Sequence, residues 1–424
     1  MGFASGDLAR SNLGRPISLA RIIRLLRRLA PSAVTFLLGT GSLFLVDIWI
    51  GRMEPPDRVA DWALFKSLVL PLSTLALLGI DQVVVREPSK LMFYVRPALL
   101  TVTGIAGAIS LIAWAIGAYD NVFYIFLGTL LLSLSGLYFG IFRANMLFNM
   151  AHIARDGWKL LLFLAIVAAH LFADIGAPLL MIIACGVTVL FCVSIWQRTN
   201  VTGIVEQHDE ISGFKSALAV SLPFCAAAFS LSIASYGEIL LLKIFDAESK
   251  IDTYFRAIIL FSYPAMIMNT YIVTFLSSII RQNPEKISRK FLKYSMFIVP
   301  IVIVIPIISL VVGFFLEIFL FPDQETPLYL AVLLSSIAGV RFAYTFLTSF
   351  VGALGDQSEI KVISLLYLWF AVMTPAICLP IYLLSDDIIF AVAATAMIHW
   401  LARGLVGWRL TIRLARRASL LPGR

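Results

Sequence analysis

Apolar runs dominate this 424-residue chain. They can be placed near 30–51, 58–84, 91–118, 122–147, 155–173, 175–196, 214–244, 251–280, 292–320, 326–354, 360–384 and 387–408. Each is long enough to cross roughly 30 Å of hydrocarbon at about 1.5 Å per helical residue. In lipid a backbone N–H or C=O finds no water, so a spanning segment must satisfy its own hydrogen bonds, and runs of this length do so as α-helices. With 60% hydrophobic and 14% charged residues, the composition lies outside that of soluble globular domains.

The chain also repeats itself. Pro31–Lys90 holds two apolar segments, Asp47, Lys66 and a basic turn, and its echo runs from Pro223 to Lys286. Pro31 matches Pro223, Asp47 matches Glu238 and Lys66 matches Arg256, at offsets of 192, 191 and 190 residues. Six spans per half is an even number, so both halves enter the membrane in the same orientation. The expected fold is therefore all-α and polytopic: twelve transmembrane helices in two six-helix lobes, related by a parallel pseudo-twofold around a central cavity. Segment limits follow: a basic amphipathic stretch at 1–29, an N-lobe at 30–196, a linker at 197–213, a C-lobe at 214–408 and a basic tail at 409–424.

Lysine and arginine set the orientation. Of the 33 present, Arg52, Arg58, Lys243 and Lys250 lie at one set of helix ends, and Lys66, Arg256 and Arg341 lie within spans. The rest, Arg403 and the tail included, gather at the opposite ends, which places both termini in the cytoplasm by the positive-inside rule. The net charge of +8 thus orients the protein and does not imply nucleic acid. Ile17–Ala30 reads as a basic helix in the inner headgroup layer, and no cleavage site follows it. Cys185, Cys192, Cys225 and Cys378 fall in spans without CxxC pairing, and the four histidines are scattered, so no metal site is expected. Outer connections are under about ten residues each, too short for an extramembrane domain, and no Walker A motif is present. An enzyme is not expected.

Charges inside the spans carry the functional argument. A cation at mid-bilayer costs about 2.5–3.5 kcal/mol on insertion scales, so it is retained where it meets a partner or a wet cavity. Arg341 lies near the middle of its span, with Thr345, Thr348, Gly352 and Gly355 along the same face. The duplicate helix aligns Gly136 with Gly339 and offers Tyr138, Asn145, Asn149 and His152. These two polar stripes are read as two cavity walls, or as packing surfaces between helices. Lys66 and Arg256 face the cavity, snorkel outward, or pair with Asp47 and Glu238 of their own halves. Asp252, four residues before Arg256, offers a local pair. Pro71 and Pro264 follow the two cations and can bend their helices. Duplicated halves with matched intramembrane charges point to a transporter with its site between them.

The first span ending in Asp47, the run Asp61-Trp62-Ala63-Leu64-Phe65, and Gly79-Ile80-Asp81-Gln82-Val83-Val84-Val85-Arg86-Glu87 resemble the Wzx-type oligosaccharide flippases of O-antigen and exopolysaccharide pathways. These belong to the multidrug/oligosaccharidyl-lipid/polysaccharide exporter superfamily. Length and the 6+6 spans match over most of the chain. The resemblance implies alternating-access transfer of a polyprenyl-pyrophosphate-linked glycan from the inner to the outer leaflet of the bacterial inner membrane. It also implies a chain working as a monomer beside polysaccharide polymerase machinery, without a cofactor. In this reading Arg341, Lys66 and Arg256 hold the pyrophosphate, while Tyr138, Asn145, Asn149, Thr345 and Thr348 contact sugars. Asp47, Asp61 or Glu238 would bind a coupling proton or sodium ion. The alternatives are a multidrug exporter of organic cations in the same superfamily and, from another class, a membrane enzyme of lipid-linked sugar assembly.

Overall fold

A computed structural model describes residues 38–86, 91–145, 147–172, 175–199, 210–267, 269, 276, 280, 283–322 and 325–420, and every regular element among them is helical. The first half comprises α1 (38–53), α2 (Pro56–Ala76), α3 (Ile80–Arg86), α4 (Leu91–Ala115), α5 (Val122–Ala144), α6 (Phe148–Phe172) and α7 (Ala177–Thr199). The second comprises α8 (Glu210–Ile244), α9 (Ile251–Phe261), α10 (Pro284–Tyr294), α11 (Ile298–Leu320), α12 (Leu328–Leu354), α13 (Gln357–Ser385) and α14 (Ile388–Ser419). The predicted 1–29 helix, Pro31, Lys90 and most of the 197–213 linker lie outside the described residues.

Nine of the described helices are long and apolar enough to cross a membrane. Three more stand at predicted span positions: α1, α6 and α9. The first is described only from residue 38, α6 carries Arg155, Asp156 and Lys159 in its first half, and α9 is described only in part beyond residue 267. The six-plus-six order therefore holds. Helix α11 shows the solvent the fold is made for. Val299, Ile303, Ile307, Val311, Phe315 and Ile318 point outward, while its buried residues are Ser309, Gly313 and Glu317, one turn apart. Polar inside and apolar outside inverts the pattern of a soluble helix, because lipid tails are as apolar as a protein core.

Breaks in the helices depart from the predicted spans for local reasons. The 58–84 span splits because Leu78 and Gly79 adopt positive φ of 51° and 71°, which ends α2 before α3 begins. The 251–280 span is interrupted at Ser262, where Pro264 cannot donate to the carbonyl one turn back; the Ser309 hydroxyl donates to the nearby Phe261 carbonyl at 2.6 Å. Helix α14 continues without a break through Ser419, so the basic tail is helical that far.

The two halves meet along an antiparallel pair, α2 against α8. Leu240 packs on the Leu68 cluster toward one end. Toward the other, a Cβ on Gly79 would lie 2.6 Å from the Ser221 carbonyl oxygen and 2.9 Å from the Cys225 nitrogen, so only glycine permits this approach. The Cys225 Sγ donates to the Leu75 carbonyl across the same seam at 3.8 Å.

Between α12 and α13, Asp356 caps the next helix. Its carboxylate accepts from the Glu359 N–H at 2.9 Å, and the Glu359 carboxylate accepts from the Asp356 N–H at 3.0 Å, a reciprocal capping box. Arg417, from the end of α14, donates to Glu359 at 3.1 Å. The Glu359 N–H, the Ser358 hydroxyl and Arg417 hold the Asp356 carboxyl below its ordinary range. A carboxylate favoured by the folded state stabilises it above the ordinary carboxylate range and loses that effect as pH falls through its lowered value. Hydrogen exchange at the Glu359 amide is therefore expected to accelerate beyond the intrinsic trend only at such acidic pH. Asp356→Asn, which keeps the cap, is expected to abolish that pH dependence; its persistence in the variant would assign it elsewhere.

Candidate functional site

Asp47 on α1 is fully buried, and two α2 side chains one turn apart converge on it. Trp62 Nε1 donates to its Oδ1 at 2.8 Å, and Lys66 Nζ donates to Oδ2 at 2.6 Å. Lys66, 1% exposed, reaches further: its Nζ donates to the Tyr263 hydroxyl in the second half at 3.0 Å. It lies 4.7 Å from the Phe255 ring centroid and 5.2 Å from that of Tyr263, contacts favourable to an ammonium. Lys66 thus neither snorkels nor lines an open cavity. It is half of a desolvated ion pair at the seam between lobes.

The second half repeats the carboxylate and its aromatic donor but not the ion pair. Tyr254 on α9 donates to Glu238 Oε2 on α8 at 2.8 Å, as Trp62 does to Asp47. Helical phase explains the missing cation. Lys66 follows Trp62 by four residues and shares its face, and the residue four after Tyr254 is the buried Ile258. Arg256 follows Tyr254 by two, about 200° round the helix. It lies beside Gly51 of α1, and its Nε has no hydrogen-bond partner among the described residues. Neither expected pair, Glu238–Arg256 nor Asp252–Arg256, forms among them.

Arg341 on α12 is buried as expected, 5% exposed. Its Nη2 donates to Ser235 Oγ on α8 at 3.0 Å, and its guanidinium carbon lies 4.6 Å from the Trp400 ring centroid. Arg403, counted from sequence among the cytoplasmic cations, is instead 1% exposed inside the C-lobe. It donates to Ser230 Oγ at 3.3 Å and to the Tyr344 hydroxyl at 3.0 Å, and lies 4.1 Å from the Tyr367 ring centroid. Its signal was present in the sequence. Ala396, Trp400, Arg403, Gly407, Thr411 and Leu414 recur at three or four residues and form the buried stripe of α14. Among the described residues neither guanidinium forms an ion pair.

The two polar stripes were expected on single helices; in the first half the helix ends within the stripe, and in the second the threonine hydroxyls bond their own helix. Thr345 donates to the Arg341 carbonyl at 3.0 Å, and Thr348 to the Tyr344 carbonyl at 3.2 Å, so both hydroxyl protons are spent on their own helix. Tyr138 is buried against Phe142, beside Ile80 and Val83. Asn145 caps α5 and donates to the Ile141 carbonyl at 2.9 Å. The helix ends there, and Asn149 and His152 belong to α6. Asp61 accepts from the Tyr119 hydroxyl at 2.7 Å. It lines a cavity of about 660 Å³ with Asp57, Asp120, Lys243 and Glu248, at the helix ends where the halves adjoin. A second cavity of about 140 Å³ lies among α8, α13 and α14, lined by Glu238, Thr374 and His399.

No family model matches this sequence, and no curated protein does. Solved structures share the fold across nearly the whole chain. The MATE multidrug transporter DinF-BH, solved in complex with R6G, is 15% identical, with 97% of this chain and 100% of that one covered at a TM-score of 0.59. The Vibrio cholerae MATE transporter VcmN in its bent form is 17% identical, with 94% and 98% covered at 0.57. An inward-facing multidrug resistance MATE family transporter of the MOP superfamily is 17% identical, with 91% and 96% covered at 0.56. At these identities the likeness is one of fold: two six-helix lobes packed about a shared seam.

Proposed function

We propose that this chain is a membrane transporter, not an enzyme, that carries an amphiphile with an anionic headgroup across the inner membrane by alternating access of its two lobes. The substrate class that best suits it is a polyprenyl-pyrophosphate-linked oligosaccharide. The observation that carries this reading is the charge balance in the buried centre. At the seam and inside the C-lobe Lys66, Arg341 and Arg403 stand against Asp47 and Glu238, while elsewhere the buried Asp156 pairs with Arg155 and Lys159 and the buried Glu317 accepts from the Thr326 amide. Lys66 engages Asp47, and the Tyr254 hydroxyl engages Glu238. A surplus of guanidinium suits a pyrophosphate, which offers oxygens for bidentate donation. The prenyl tail stays in the lipid that bathes α11. In this conformation Trp400 and Ser235 cover the Arg341 guanidinium, so substrate reaches it only when the lobes part. Of the expected coupling residues, Asp47 is held by its ion pair, which leaves Glu238 and the outer-lip Asp61.

The named structural neighbours are described as multidrug or MATE family transporters, which favours drug export as a second reading. An organic cation would call for a buried carboxylate without a counter-cation; Asp47 has Lys66, whereas Glu238 has the neutral Tyr254 hydroxyl and is the group that reading would use. In a deletion strain, a lipid-linked saccharide is expected to accumulate in the inner leaflet. Arg341→Gln at equal protein level is expected to restore surface glycan poorly, down roughly 10- to 100-fold, since a charged hydrogen bond contributes about 1.5–3 kcal/mol. Full complementation by the variant, or altered drug susceptibility with normal glycan, would move the assignment to the second reading.

A further inference from the structure

We propose that α10 seats an anionic phospholipid of the inner leaflet against the C-lobe. Lys286, Arg289, Lys290 and Lys293 stand at spacings of three, four and seven residues along this helix, which puts them on one face, and all four are exposed. Arg289 spends its charge on Glu285 at 2.6 Å. The three lysines form no ion pair among the described residues. The opposite face is taken up by the protein. There the Phe291 ring lies 4.5 Å from that of Phe350 on α12 and 6.3 Å from that of Trp408 on α14, the two helices that carry Arg341 and Arg403. Packing of one face thus holds the basic face outward.

What lies next to the lysines identifies the occupant. A single short turn, Ser295–Phe297, joins α10 to α11. Met296, Val299 and Ile303 follow Lys293 and are all exposed, so the cations run directly into the lipid-facing stripe of α11. Positive charge passing into apolar surface matches a phosphate group above acyl chains. Lysine suits that boundary, because its stem lies along apolar surface while its ammonium reaches the phosphate. The lysine and arginine count assigns this end of the lobe to the cytoplasmic face, hence to the inner leaflet. An acidic soluble protein would match the charges but not the apolar stripe beside them. A zwitterionic lipid would match the stripe and leave the ammonium groups uncompensated. This surface is separate from the buried cations of the seam and does not rest on what the protein carries.

Native mass spectrometry of the full chain, purified in detergent and stripped of lipid, reads the affinity of the first phospholipid bound. Phosphatidylglycerol is expected to bind about tenfold or more tightly than phosphatidylcholine with the same acyl chains, since each lysine near an anionic headgroup contributes roughly a fivefold factor. Lys290→Gln with Lys293→Gln is expected to remove most of that preference. Arg96→Gln with Arg198→Gln takes the same charge from exposed positions of the N-lobe and is expected to leave the preference intact. All four side chains are exposed, so both variants are expected to unfold at the wild-type temperature. Equal binding of the two lipids, or a lysine variant that keeps the preference, would overturn the proposal. An equal loss in the arginine variant would overturn it too, by showing attraction to net positive charge alone. Polyglutamate held as tightly as phosphatidylglycerol, and released by the same lysine substitutions, would make the face a docking surface for acidic protein instead.

Discussion

Lys66→Met is expected to destabilise the protein by about 3–5 kcal/mol, because it strands the Asp47 carboxylate in a fully buried position. Only Trp62 Nε1 would still donate to it, and one neutral donor does not replace an ammonium at 2.6 Å. The companion variant separates this from simple loss of packing. Asp47→Asn with Lys66→Met keeps an acceptor for Trp62 and removes both charges, so the pair together is expected to recover most of the loss, as replacement of a buried ion pair by neutral groups often does. Thermal unfolding in detergent, followed by tryptophan emission, measures both. A double variant no more stable than Lys66→Met would mean that the ammonium matters for packing against Phe255 and Tyr263, and not for charge.

Gly79→Ala is expected to loosen the seam between the lobes. A non-glycine residue in the left-handed region costs about 1–2 kcal/mol. Its methyl would also press on the Ser221 carbonyl and the Cys225 nitrogen of α8 at 2.6 and 2.9 Å, and overpacking of this kind costs about 1–3 kcal/mol more. Movement of α8 away from α2 relieves the overlap with Ser221 and Cys225, so that part of the strain favours the parted state. Cys225 reports on it directly, being buried against Leu75. With Cys185, Cys192 and Cys378 replaced by alanine, maleimide labelling of Cys225 is expected to rise tenfold or more, since about 1.4 kcal/mol is a factor of ten in population. Unchanged labelling together with lowered stability would show that the seam does not open there.

The matched pair Asp47 and Glu238 was legible in the sequence because a repeat preserves residue order, and the aromatic donors Trp62 and Tyr254 follow them at nearly equal distance. Arg256 was misread for the same reason. Counting along the chain aligned it with Lys66, but a shift of two residues turns a side chain to the other side of a helix. The stripe of Tyr138, Asn145 and Asn149 failed because a cap at Asn145 separates two helices that a continuous apolar run had merged. Arg403 was missed because a count of charges by helix end carries no information about which face is buried.

The number of membrane-crossing elements, their helical form and the doubling of the halves were decided by the sequence alone, since bilayer thickness and the need to satisfy backbone hydrogen bonds in lipid leave a chain of this hydropathy no other solution. The closure of Lys66 onto Asp47 and Tyr263, the enclosure of Arg341 and Arg403 by aromatic rings, and the placing of Glu238 and His399 on one small cavity were decided only by tertiary structure. Each depends on which faces of helices far apart in the chain are pressed together, and a lipid-soluble surface, apolar on every exposed side, leaves that choice to packing and to the few polar groups that must find one another inside.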